Sequence, residues 1–114
     1  MQHSSLENGR WFELSLNEQM GNIGSEVGRI IRAERQNDLV AMNNALDRGL
    51  ELFDLTISDR RRKHQLKEII RAREVLVDSL ADQKEYHSDL ASVDKYFMHF
   101  AVASRLNHYR HPTF

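Results

Sequence analysis

The densest charge in this chain lies at Asp59-Arg60-Arg61-Arg62-Lys63-His64 and continues through Lys67, Arg71 and Arg73. Between residues 59 and 73, seven lysines or arginines stand against Asp59 and Glu68. Cations at a helix N-terminus oppose the macrodipole, so helix stability does not account for the run. Arg60, Lys63 or His64, Lys67 and Arg71 share one helical face, and such a basic stripe can contact phosphates. Arg60, Arg61, Arg62, Lys63, Lys67 and Arg71 are therefore the candidate nucleic-acid-binding residues. No aromatic residue is interleaved for base stacking, and the alternative reading is a solvated face neutralised by acidic neighbours. Arg73 differs, because it lies in line with Leu66, Ile69, Leu76 and Leu80 on the apolar stripe. A buried arginine needs a carboxylate. Glu26, Asp47, Glu51 and Asp54 are candidates for a structural or interface ion pair with it.

A second feature is the stretch GNIGSEVG, residues 21–28, with Gly21, Gly24 and Gly28 three and four apart. A phosphate-binding P-loop needs a different glycine spacing and a following Lys-Ser or Lys-Thr, and neither is present. The dinucleotide fingerprint needs a preceding strand, which is also missing. Read as helix, each glycine costs about 1 kcal/mol relative to alanine. The offset expected is close helix packing: Gly21, Gly24 and Gly28 lie beside Met20, Ile23 and Val27 and leave bare backbone for a neighbour. Ala45 and Gly49 form a similar small pair. The neighbour can belong to the same chain or to a second subunit, and one or two of the glycines can instead sit near solvent.

The six histidines prompt a search for metal ligands. No Glu-x-x-His occurs. His64 and Glu68 are four apart, and His108 and His111 three apart, but no second pair completes either set. Near the C-terminus, Arg105 and His111 are separated by five residues, which resembles the R-x(4–6)-H motif of HEPN-type ribonucleases, themselves small helical bundles. That resemblance implies an RNA-cleaving site at Arg105 and His111, with a solvated basic tail as the alternative. Nothing in the sequence marks a cofactor, a metal or a small-molecule substrate.

These residues need elements to position them. At 114 residues the chain fits one domain. A composition 40% hydrophobic and 29% charged, with one proline, suits a helical globular protein. The net charge of −1 gives no global attraction to nucleic acid or membrane. Without cysteine, disulfides and thiolate metal sites are excluded. No apolar run approaches the roughly 18 residues of a membrane span, and MQHSSLENGR lacks a signal-like apolar stretch, so a cytoplasmic location is expected.

Residues 1–14 read as an arm anchored by Trp11 and Phe12, and residues 15–111 as the single domain. Ser15 and Glu18 form a capping box. Leu16, Met20, Ile23, Val27 and Ile30, with Glu34 next in the same spacing, then mark a helix of about five turns. Asn37 or Asp38 caps a second helix with the stripe Leu39, Met42, Leu46, Leu50, Phe53 and Ile57. A third carries Leu66, Ile69, Ile70, Leu76, Val77 and Leu80. A polar break spans residues 81–89. A fourth helix follows with Leu90 or Val93, Tyr96, Phe97, Phe100, Ala101 and Ser104 on its inner side, ending at Pro112. No segment shows the period of a strand. The expected fold is all-α, an antiparallel up-down four-helix bundle.

Two stretches, GRWFELSLNEQMGNIGSEVGRIIR and ALDRGLELFDLTISDRRRKHQLKEIIRAREVL, are similar to a family of short uncharacterised bacterial proteins, over roughly residues 9–106. More distantly, LSLNEQMGNIGSEVGR resembles the first helix of four-helix proteins of the ribosomal-RNA intervening-sequence group. That group includes the accessory proteins of diversity-generating retroelements. This resemblance implies a ring-like homo-oligomer and an association with RNA and an RNA-processing protein through a basic surface. The chain departs from that group in being slightly acidic overall. The expected function is a non-enzymatic, homo-oligomeric accessory protein associated with RNA through the third helix. A HEPN-like ribonuclease and a protein-only interaction module that uses Gly21, Gly24, Gly28, Gly49 and Arg73 are the alternatives.

Overall fold

The computed structural model describes residues 9–81 and 92–98, and these are helical apart from short connections. A 3-10 turn, Arg10–Glu13, precedes α1 (Leu16–Arg35) and α2 (Leu39–Ser58). A second 3-10 segment, Arg60–Gln65, leads into α3 (Leu66–Ala81). A short helical segment at 92–98, here α4, completes the set. The third helix thus begins at Leu66, and the residues from Arg60 to Gln65 form its tighter lead-in.

The capping box closes as expected. Ser15 Oγ accepts from the Glu18 N–H at 3.1 Å, and Glu18 Oε1 accepts from the Ser15 N–H at 3.0 Å. At the α1–α2 connection Asp38 is the cap, accepting from the Ala41 N–H at 3.0 Å. Asn37 takes the left-handed conformation that reverses the chain, with φ 55°, a conformation asparagine tolerates better than most residues.

In α1, Met20, Ile23, Val27 and Ile30 are fully buried. The stripe then continues to Ala33 rather than Glu34, which is only half-buried. In α2 the buried line is Ala45, Gly49, Leu52, Phe53 and Thr56. This corrects the expected stripe: Leu39 is 66% exposed, and Met42, Leu46, Leu50 and Ile57 are half-buried. The reason is that α1 and α2 form the largest interface, along the smallest residues, where two backbones can approach. The larger side chains flank that seam. In α3, Ile69 and Leu76 are buried while Ile70 and Val77 face outward. Val93 and Phe97 of α4 enter the core, and Phe97 meets Phe53 edge-on, with ring centroids 5.7 Å apart. The expected inner positions Leu90, Phe100, Ala101 and Ser104 lie outside the described residues, as do Arg105, His111 and Pro112.

Candidate nucleic-acid interface

The basic run begins on a buried acid. Asp59 ends α2 and is 6% exposed. Its Oδ1 accepts from the Arg61 N–H at 3.0 Å, and its Oδ2 accepts from Arg61 Nη2 at 2.7 Å and from Gln19 Nε2 at 2.9 Å. The Arg61 guanidinium, chiefly, with help from Gln19, holds the Asp59 carboxyl far below the usual carboxylate range against the opposing effect of burial. Asp59 in return raises the pKa of Arg61.

Gln19, fully buried in α1, joins the parts. Its amide nitrogen also donates to the Trp11 carbonyl at 3.0 Å, and its Oε1 accepts from Arg62 Nε at 2.7 Å. Arg61 Nη2 and Arg62 Nη2 both donate to the Leu14 carbonyl, at 2.6 and 3.0 Å. The Trp11 ring is fully buried, and its Nε1 donates to Thr56 Oγ1 at 3.0 Å. The result is a latch that ties residues 11–14 and the start of α1 to the end of α2.

Arg62 is therefore turned inward, with its side chain 10% exposed. Burial, and next the charge of Arg61, lower its pKa, while Asp59 opposes them. Arg61 is half spent on the latch. Arg73 is not buried as its place in the stripe suggested. Its side chain is 33% exposed and its Nε donates to Asp54 Oδ1 at 3.1 Å, one of the four acids considered. Arg60, Lys63, Lys67 and Arg71 remain. All four are exposed and no ion pair holds them among the described residues. His64 is exposed beside them. Nearby, Tyr96 donates its hydroxyl to Glu68 at 2.8 Å. Burial, then this carboxylate, push the phenol well above its ordinary range, so it stays a donor.

Of the glycine face, Gly24 receives α4 of the same chain. A Cβ on Gly24 would stand 2.7 Å from Phe97 Cβ, so only glycine lets Phe97 sit there unshifted. A Cβ on Gly49 would touch Glu26 Cβ at an ordinary 3.5 Å, and one on Gly28 would meet nothing within 4 Å. Gly21, Gly24 and Gly28 floor an open groove of about 360 Å³ whose walls include Arg29, Arg32, Asp94 and Met98.

Sequence reasoning missed a second cationic place. Arg29, Arg32 and Arg48 line a hollow of about 300 Å³ between the later half of α1 and the earlier half of α2. The available signal was Arg29-x-x-Arg32 on one helix side, but Arg48 comes from another helix and joins only through the fold. Among the described residues no group of His, Asp or Glu could hold a metal ion, and no helix is long and apolar enough to cross a membrane. Comparison with known protein families, curated proteins and solved structures gives no match.

Proposed function

We propose that this chain is a non-enzymatic, homo-oligomeric accessory protein that holds RNA through Arg60, Lys63, Lys67 and Arg71. The observation that carries the reading is that these four cations are exposed, and in no ion pair among the described residues, beside a latch that engages Arg61 and Arg62. A flexible loop would spend binding energy on ordering, whereas this segment is pinned at Asp59 and continues into α3. Lys67 and Arg71 stand one helical turn apart, on the order of 6 Å along the axis, and so present a row of charge. In this reading the helices run as an antiparallel up-down bundle. The pairings Gln19–Asp59, Glu26–Arg48, Asp54–Arg73 and Glu68–Tyr96 support that order. The same function is what the resemblance of residues 14–29 to retroelement accessory proteins implies.

The test is fluorescence anisotropy with labelled single-stranded RNA across a salt series. Three or four phosphate contacts give a log–log slope of roughly −2 to −3. A variant with Arg60, Lys63, Lys67 and Arg71 all changed to glutamine should lose binding while melting like the parent. No binding at low salt, or binding indifferent to salt, removes the proposal. RNA cleavage lost in His111→Ala would replace it with the ribonuclease reading.

A further inference from the structure

The hollow between α1 and α2 is lined by three arginines, of which Arg32 meets no ion pair among the described residues. Glu26 is 5% exposed at its edge. Its Oε1 accepts from Arg29 Nη1 at 2.7 Å and its Oε2 from Arg48 Nε at 3.0 Å. Arg29 and Arg48 thus share this one buried carboxylate. Arg32 adds a third cation, exposed and with no acidic partner among the described residues. Gln36 and Asn44, both with amide side chains, also line the hollow.

Glu26 holds two of these groups, Arg29 and Arg48, in place, while Arg32 is left free to turn toward a ligand. A guanidinium offers five N–H donors in a rigid fork. Glu26 anchors Arg29 by one of them and leaves others for a ligand. Arg48 has a further interaction of its own, so the donors available for a ligand are chiefly those of Arg29 and Arg32. Backbone dipoles do not explain the site: α1 ends there at its negative pole and α2 begins there at its positive pole. The attraction therefore comes from the side chains. Guanidinium and amide side chains lining one hollow suit a ligand with many acceptor oxygens and more than one negative charge.

We propose that Arg29, Arg32 and Arg48, with Gln36 and Asn44, form a binding site for a phosphate group, separate from the basic row of residues 60–71. The phosphate can come from a free polyphosphate anion or from the terminal phosphate of an RNA strand.

Calorimetric titration of the full chain with sodium pyrophosphate at low ionic strength tests this. One saturable site is expected. Arg32→Gln should weaken it about tenfold or more, the worth of one charge-assisted hydrogen bond. Its thermal melt should match the parent, because Arg32 is exposed. The variant neutralised at Arg60, Lys63, Lys67 and Arg71 should bind pyrophosphate as the parent does, which keeps this test apart from that of the RNA-holding row. Tighter binding of a 5′-phosphorylated than a 5′-hydroxyl oligonucleotide, abolished by Arg32→Gln, assigns the RNA end. Equal binding of the two oligonucleotides, with pyrophosphate still bound, assigns the free anion. Absence of saturable pyrophosphate binding, or an Arg32→Gln variant that binds it like the parent, overturns the proposal.

Discussion

Two glycines four residues apart in one helix face different surroundings. Gly24→Ala places a methyl 2.7 Å from Phe97 Cβ, an atom held by its own backbone. Overpacking of this kind costs about 1–3 kcal/mol and outweighs the gain in helix propensity. Gly28→Ala meets open space and should stabilise the chain by about 1 kcal/mol. Paired thermal melts should therefore move in opposite directions, and movement in the same direction would contradict the α1–α4 contact. Asp59 gives a second expectation at this scale. Its folded-state pKa lies below the unfolded value near 3.9. It therefore contributes stability that is complete above the unfolded value and is lost as pH falls below it. Asp59→Asn should lower stability at neutral pH and flatten the acid limb of a urea-midpoint curve between roughly pH 5 and pH 2. A parallel downward shift of the whole curve would mean that the charge is not what Arg61 and Gln19 hold.

At the scale of elements, the α1–α2 seam is built on Ala45 and Gly49. Ala45→Leu should force the helices apart and cost about 1–3 kcal/mol in denaturant titration, whereas Leu39→Ala, at an exposed position, should cost almost nothing. This seam also marks how far the sequence could be read. Helix existence, the capping box and the core face of α1 followed from local patterns, because Ser15, Glu18 and the Met20–Ile30 stripe act within one helix. The face of α2 did not, because periodicity weights large apolar residues, and close approach is decided by small ones. The long reach of the basic run was visible, but its division was not. Arg62 looks like Lys63 in sequence, and its hydrogen bonds to Gln19 and Leu14, more than 40 residues away, turn it inward. The Arg29–Arg32–Arg48 hollow was illegible for the same reason.

Across the whole molecule, the latch buries Trp11 in the core and packs Phe12 and Leu14 against it. Trp11 is the only tryptophan, so its emission reports on the latch alone. It should be blue-shifted in the folded chain, and its red shift on heating should coincide with loss of far-ultraviolet helicity. An earlier fluorescence transition would show that the N-terminal turn releases independently. Trp11→Ala should destabilise the entire chain by about 3–5 kcal/mol. The contacts that close the latch join residues 40 to 48 positions apart. During synthesis at about 5–20 residues per second, Trp11 and Gln19 thus leave the ribosome several seconds before Arg62 does. Over that interval the Trp11 ring lacks Thr56, and the Gln19 amide, with only the Trp11 carbonyl in reach, lacks Asp59 and Arg62, so the first helix of each new copy waits, exposed to other chains, for the segment that will seal it.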